Sequence, residues 1–363
     1  MLTKWETFFL LIMTLPIMGH VVILPLMIDV AGRDSIVSIL ISLPAALLFG
    51  YAILIIRRNH PNLQPKELFT HLLGKWGSIF IFFLFVIYFL FLTILSVASL
   101  VDFVYIGFFP ETPIPALIIW FLIFSTYATL KGYKHVALTA GVLTCIGLIT
   151  GHTVTLMDSS KKDWSEMLPL LEYGWTPSLI GSLILISIWV ELLLLLCVPI
   201  RNIKEKRFFL VWTIGILLNA LMMFSTINGT ITIFGLGQAS NFLYPAQEIV
   251  KIINLGFIDR FDIYGMILML FGVYIRSSLY FRIAYDFSIS KHASKRTKFI
   301  VFLLFVLITA IGSYYFTKEH MNLENMIVIY TYMIFLYPIP FILLFISWWK
   351  NRKNSDEYKG EFI

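Results

Sequence analysis

The sequence predicts an all-α integral membrane protein with about ten transmembrane helices. Of its 363 residues, 59% are hydrophobic and 13% are charged, whereas about one quarter of the residues in soluble domains are charged. The apolar residues fall in blocks of about twenty, the length at which a helix crosses the hydrocarbon core of a bilayer. A lipid bilayer is therefore the expected solvent, and no separate soluble domain is predicted.

Glycine, proline and capping residues mark the limits of the helices. Gly32 and Asp34 precede helix 2, Pro113 and Gly132 precede helices 4 and 5, and Pro177 opens helix 6. The ten predicted helices cover residues 5–31, 35–56, 77–104, 113–130, 135–157, 177–200, 208–236, 262–285, 298–316 and 325–348.

The order of the helices predicts one transmembrane domain over residues 1–348, followed by a cytoplasmic tail at 349–363. Two halves of five helices, at about 5–157 and 177–348, would have opposite orientations because each contains an odd number of crossings. Two shorter segments, 64–74 and 245–254, are predicted as helices at the membrane surface.

Basic residues predict the orientation. Of the 27 Lys and Arg residues, 20 fall in one set of alternate loops and six in the other, while Arg276 lies inside helix 8. Cytoplasmic loops retain positive charge, so both termini are predicted to be cytoplasmic. The basic residues stand in short clusters between apolar blocks, which argues against nucleic acid as a partner.

Two charged residues are predicted at mid-membrane depth. Glu191 precedes Arg201 by ten residues, and Arg276 precedes Asp286 by the same spacing. Ten residues of helix span about 15 Å, which is about half of a 30 Å hydrocarbon core. Glu191 and Arg276 either line a ligand cavity or couple its occupancy to motion, or else they form a structural ion pair.

Helix 1 contains two residues that weaken helical structure. Pro16 lacks a backbone donor and Gly19 tolerates non-helical angles. Such breaks expose backbone groups to substrates in transporters, although a simple proline kink is the alternative. His20 is a further candidate because its side chain titrates near neutral pH.

Other candidate sites are weaker. Asp102 in helix 3 is a possible additional site residue, or it lies near the external interface. Cys145 and Cys197 fall inside predicted helices, so no disulfide is expected. No phosphate loop, zinc spacing or catalytic triad is evident, and we therefore expect no enzyme activity, metal or cofactor.

Four groups of residues carry a family resemblance over nearly the whole chain. They are Trp5-Glu6 with Leu15-Pro16 and Gly19; Ile23-Leu24-Pro25 with Ala31-Gly32-Arg33-Asp34; Leu168-Pro169-Leu170-Leu171-Glu172-Tyr173-Gly174; and Tyr244-Pro245-Ala246-Gln247-Glu248. In these residues the sequence resembles the endospore germination permease family. Its members are the B subunits of germinant receptors, within the amino acid, polyamine and organocation transporter superfamily.

The resemblance implies a fold of two inverted five-helix repeats whose first helices are broken at the ligand site. It also implies an L-amino acid or nucleoside ligand, partner A and C subunits, and residence in the spore inner membrane. The implied site comprises Ile17, Met18, Gly19 and His20 in helix 1, and Ser187, Trp189 and Glu191 in helix 6. No glycine or proline lies at the corresponding depth in helix 6.

Three functions are compatible with these features. The first is a germinant-receptor subunit that binds a small nutrient near mid-membrane and signals through its partners. The second is an active amino acid permease, proton-coupled through Glu191 or His20. The third is a purely structural assembly subunit.

Overall fold

The computed structural model describes residues 1–253, 261–290 and 292–360. Within these ranges the chain is helical, and the β-structure is limited to one bridge between Leu2 and Ile200. The α-helices are α1 (Lys4–Ile17), α2 (Leu24–Ala31), α3 (Ser35–Asn59), α4 (Pro65–Gly107), α5 (Ile114–Lys131), α6 (Tyr133–Met157), α7 (Thr176–Trp189), α8 (Leu194–Cys197), α9 (Arg207–Ala239), α10 (Pro245–Lys251), α11 (Asp262–Ser288), α12 (Lys295–Thr317), α13 (His320–Thr331) and α14 (Ile339–Gly360).

Nine helices in the described part of the chain are long and apolar enough to cross a membrane, by length and composition. The predicted helix that is missing from this set is helix 1, where α1 has only 14 residues and is followed by a π-helical segment, Met18–Val22. The nine include Leu24–Asn59, although the chain turns inside that stretch at Gly32, whose φ is +52°. The all-α membrane fold and the boundary between helices 1 and 2 are confirmed.

The predicted break in helix 1 is confirmed. Thr3 caps α1, because its hydroxyl accepts the N–H of Glu6 while the Glu6 carboxylate accepts the N–H of Thr3. Pro16 lies near the end of α1, and Gly19 lies inside the π-helical segment. Single π-helical turns occur frequently at functional sites, so this segment is a primary candidate.

Helix 6 is interrupted as well, although no sequence signal predicted the interruption. The helix begins at Thr176, α7 ends at Trp189, and Val190–Leu193 form a 3₁₀ turn that contains Glu191. The short α8 then ends where Val198 adopts an extended conformation. The 3₁₀ turn is tighter than an α-helical turn and has poorer hydrogen-bond geometry, so tertiary contacts must hold it.

The two predicted short helices are present. Gly74, with φ of +71°, separates residues 65–73 from the rest of α4. The second is α10, in which Pro245 occupies the first turn; residue 254 of the predicted segment lies outside the described residues. The location of both at the membrane surface stays a prediction.

The structure does not form the predicted helix 10 as a single helix over residues 325–348. It consists of α13, a 3₁₀ segment Tyr332–Leu336, and α14, which continues to Gly360 and so into the predicted tail. Pro338 has no N–H to donate to the preceding turn, which explains the interruption. A single large apolar core joins the elements of both halves, with α4 packed along α11 and α3 along α7.

Candidate functional site

The interrupted helix 6 carries a buried ion pair with α11. The guanidinium of Arg276 donates from Nη2 to Oε1 of Glu191 at 2.6 Å and from Nη1 to Oε2. Both side chains are 0% exposed. The two residues that sequence depth placed at the same level therefore meet in a two-bond, fork-like pair, which is the strongest geometry for guanidinium and carboxylate.

Neighbouring side chains complete the hydrogen bonding of this pair. The hydroxyls of Tyr280 and Tyr330 each donate to the Glu191 carboxylate at 2.6 Å. Arg276 donates from Nε to Oγ of Ser96 at 2.7 Å and from Nη1 to the carbonyl of Thr14 at 2.8 Å. Because buried charges are costly unless paired and hydrogen-bonded, these contacts explain how the pair and the 3₁₀ turn are held.

The contacts of the pair link five segments. Thr14 lies in the last turn of α1 before the π-helical segment, Ser96 lies in α4, and Tyr330 lies in α13. A single polar cluster thus joins the breaks of helices 1 and 6 to three other helices. Movement of α1 relative to α11 would require the bond between Arg276 and Thr14 to change.

A cavity of about 210 Å³ lies beside the break in helix 1. Pro16 cannot donate to the carbonyl of Ile12, and both residues line the cavity. The lining residues come from α1, the π-helical segment, α4, α6 and the loop after it, α9, α10 and α11. The residues used below are Ile12, Met13, Ile17, Thr144, Gly151, Asp158, Lys162, Ser225, Gln247, Met269 and Gly272. Most of this surface is apolar, as is usual for small-molecule sites.

Several buried polar atoms of the cavity lack hydrogen-bond partners within the described residues. They are Oγ1 of Thr144, Nε2 of Gln247 and both carboxylate oxygens of Asp158. Sequence reasoning missed all three residues. The available signal was Asp158, an acidic residue at the C-terminal end of helix 5, where the helix dipole disfavours a carboxylate.

The predicted site residues of helix 1 have different surroundings in the structure. Ile17 lines the cavity, and Met18 is buried in the core. Gly19 faces α9, since a Cβ at this position would lie 2.2 Å from Cε of Met223. The side chain of His20 lies outside the described residues.

The predicted site residues of helix 6 also have different surroundings. Ser187 lies near the ion pair, because its carbonyl accepts a hydrogen bond from Tyr330 at 3.3 Å. Trp189 faces α3, where its indole N–H donates to Oγ of Ser42 at 3.2 Å. Glu191 and Arg276 are not among the lining residues of the cavity. However, Arg276 lies one helical turn beyond Gly272, which does line it.

Asp102 belongs to a second buried cluster. It accepts hydrogen bonds from the hydroxyl of Tyr244 and from Nδ1 of His320, the latter at 2.8 Å. Burial, together with the neighbouring Asp102, raises the pKa of Tyr244 well above its usual range. This cluster ties the start of α10 to α4 and α13, at the edge of the cavity where Phe103 and Gln247 are lining residues.

A second cavity, of about 480 Å³, lies at the opposite ends of α6 and α11. Its lining includes Lys66, Arg282 and Lys298, and Arg282 pairs with Asp286 at 3.0 Å. These residues lie near the ends of α4, α11 and α12 that are predicted to be cytoplasmic. The cavity shares no lining residue with the cavity beside helix 1, although Cys197, at the end of α8 after the helix 6 break, is among its lining residues.

Comparison with known proteins identifies relatives over nearly the whole chain. A family model described as "Spore germination protein" matches residues 1–321. The chain is 27% identical over 348 residues to spore germination protein XB of Bacillus anthracis, covering 93% of this chain and 96% of the relative. It is 23% identical over 348 residues to spore germination protein KB of Bacillus subtilis (strain 168), covering 92% and 91%. The range of the family match includes α1, the cavity and Arg276.

Proposed function

Because the chain belongs to the spore germination protein family, we propose that it is the transporter-like membrane subunit of a spore germinant receptor. In this proposal it binds a small nutrient, of the L-amino acid or nucleoside type, and signals through partner A and C subunits in the spore inner membrane. The family is one of germination proteins rather than of enzymes, which supports a binding role.

The observation that carries the proposal is the cavity at the interrupted helix 1. Its lining combines Ile12, Pro16 and Ile17 of helix 1 with Met269 and Gly272 of α11. A molecule in this space would contact both helices at once, and its contacts would change if α1 moved against α11. A ligand shifts a conformational equilibrium only through such differential contacts.

The Glu191–Arg276 cluster supports a route from the cavity to the rest of the molecule. Arg276 holds the carbonyl of Thr14, two residues before Pro16, and it holds Glu191 in the 3₁₀ turn of helix 6. We propose that an occupied cavity changes the bond to Thr14 and thereby the packing of helices 6 and 10. The partner subunits would respond to the altered packing.

An active permease is the second candidate, favoured by the interruptions at comparable places in helices 1 and 6. Proton coupling through Glu191 would require a proton to displace Arg276, Tyr280 or Tyr330 from a fully buried carboxylate. The sensing function needs no such step. Uptake of labelled ligand into vesicles containing this chain alone would favour transport, and binding without uptake would favour sensing.

We also propose that both termini are cytoplasmic. If α1, the π-helical segment and α2 make one crossing, they add a tenth crossing to those of α3 through α14. An even number of crossings puts the two ends on one side. The excess of basic residues in alternate loops assigns that side to the cytoplasm.

The binding function is tested by thermal stabilisation of the purified chain with a panel of L-amino acids and nucleosides. A side chain built at Gly151, a lining residue, meets no described atom within 4 Å, so Gly151→Leu would occupy open space. Gly237 is likewise open, but it is exposed and outside the cavity, so Gly237→Leu is the matched control. Stabilisation that Gly151→Leu abolishes and Gly237→Leu preserves would support the proposal. A purely structural subunit would show no stabilisation by any compound.

A further inference from the structure

The carboxylate of Asp158 is buried in the cavity without a partner. Asp158 is 1% exposed, and neither of its oxygens has a hydrogen-bond partner within the described ranges. It follows α6 directly, and its own N–H is used by the carbonyl of Val154 at 3.1 Å. The negative end of the α6 dipole therefore adds to the cost of a carboxylate that burial already disfavours.

The two lysines that follow Asp158 in sequence, Lys161 and Lys162, do not hydrogen-bond to its carboxylate. Lys161 donates its ammonium to the carbonyl of Ile252 at 2.5 Å. Lys162 lines the same cavity but forms no hydrogen bond with either Asp158 oxygen. The site thus has a buried acceptor to which no cationic group of the described residues donates a hydrogen bond.

Gln247, another lining residue, also has an unpartnered group: its Nε2, a donor, lacks a partner, and the residue is 5% exposed. The hydroxyl of Thr144 is unpartnered as well, but Thr144 lies about 21 Å before Asp158 along α6, too far for one small molecule to contact both. The remaining surface is supplied mainly by apolar side chains such as Met13, Ile17 and Met269. Buried polar groups are rarely left without partners in folded proteins, so the unpartnered atoms of Asp158 and Gln247 indicate the polar groups of an occupant.

We infer that the cavity binds a small apolar molecule bearing an ammonium group, with Asp158 as the counter-ion. Gln247 holds the other polar end of the molecule. This inference rests on the proposed binding function and selects between its two ligand classes. A neutral nucleoside would leave the Asp158 charge unpaired, whereas the ammonium of an amino acid would neutralise it.

The first test needs no ligand. Removing the charge with Asp158→Asn is expected to raise the thermal unfolding temperature of the unliganded protein, because binding residues often reduce stability. The matched control is Glu111→Gln, an exposed carboxylate in the loop after α4, for which we expect no change. A lower unfolding temperature for Asp158→Asn would show that Asp158 is a structural residue, for example as the partner of Lys162, and would overturn the inference.

The second test compares L-valine with 2-hydroxy-3-methylbutanoate, which has the same shape without the ammonium group, and with the neutral nucleoside inosine. We expect the compounds of the wider panel that stabilise the protein to be amines, and their hydroxyl analogues to be inactive. Asp158→Asn should weaken amine binding about tenfold to a hundredfold, while Glu111→Gln should leave it unchanged.

The outcomes separate the two proposals. Binding of a nucleoside, or of an amine whose affinity survives Asp158→Asn, in a cavity that Gly151→Leu blocks would contradict the ammonium site and preserve the binding function. Stabilisation by Na⁺ or K⁺ alone would assign Asp158 to an inorganic cation instead. If nothing in the panel binds, the binding function of the isolated chain fails, and the stability of the unliganded Asp158→Asn protein still decides the role of Asp158.

Discussion

Glu191 and Arg276 form a doubly hydrogen-bonded ion pair between two membrane helices, with no exposed surface on either side chain. Removing one partner leaves a charge that is buried and uncompensated. Removing both leaves an apolar gap that neighbouring side chains partly fill. The stability of variants of this pair therefore measures how strongly the pair holds the helix 1 and helix 6 interruptions together.

We predict that Arg276→Met alone lowers the free energy of unfolding by about 3–5 kcal/mol, because Glu191 keeps its charge without a partner. The double variant Glu191→Leu/Arg276→Met should recover most of this loss. Unfolding in detergent by a denaturant series measures both. A double variant as unstable as the single one would mean that the pair itself is not the cause.

The same double variant separates stability from signalling. It lacks the bond from Arg276 to the Thr14 carbonyl, so we predict that it folds and binds ligand but no longer triggers germination in spores that carry it. The control is Arg282→Lys, which leaves the buried cluster intact. Normal germination with the double variant would rule out the proposed route through Arg276.

Substitution of Trp189 tests whether this residue, which the family resemblance assigns to the ligand site, affects ligand affinity. Its indole donates to Ser42 of α3, and Trp189 is not among the lining residues of the cavity. Trp189→Phe should therefore cost about 1 kcal/mol of stability and leave ligand affinity unchanged. The matched control is Trp212→Phe, which removes a comparable bond of 3.0 Å to Thr7. A selective loss of affinity in Trp189→Phe would put this residue back into the site.

His60 gives the protein a pH dependence outside the membrane helices. Burial, followed by the neighbouring His71 and Lys350, lowers the pKa of His60 below its ordinary value of 6.5. Folding thus weakens proton binding, so this stability is present above pH 6.5 and is lost as the pH falls below it. We expect the unfolding temperature to drop on acidification and the drop to be smaller in His60→Gln. The control His135→Gln, at an exposed position, should keep the full drop.

The proposed topology is tested with single cysteines in a Cys145→Ser/Cys197→Ser background. Ser159 and Ser290 are both exposed, after α6 and α11 respectively. Ser159→Cys should react with a membrane-impermeant maleimide added outside intact cells, and Ser290→Cys should react only after permeabilisation. The reverse pattern would invert the orientation, and labelling of both from outside would contradict the proposed crossings.

Part of this site was predictable from sequence because its causes are local. Pro16 and Gly19 weaken a helix wherever they occur, and counting residues places Glu191 and Arg276 at one depth. The 3₁₀ turn of helix 6 was not predictable, since it depends on bonds from Tyr280 and Tyr330, which are distant in sequence.

The direction in which each side chain points could not be predicted from the sequence either. Helix 6 is apolar all round, so no periodicity shows that Trp189 faces α3. Asp158 stands at the predicted end of helix 5, where a carboxylate is normally solvated. Only the folded structure shows that Asp158 is buried and lines a cavity together with residues of α10 and α11.

The central claim is that the ligand occupies the cavity beside the helix 1 break. The most direct measurement is the rate at which a thiol reagent labels Ser225→Cys, a cavity position in α9, in the Cys145→Ser/Cys197→Ser background. A compound that stabilises the protein should slow this labelling in proportion to its occupancy and leave labelling of Ser159→Cys unchanged. An unchanged rate at Ser225→Cys with saturating compound would contradict the account.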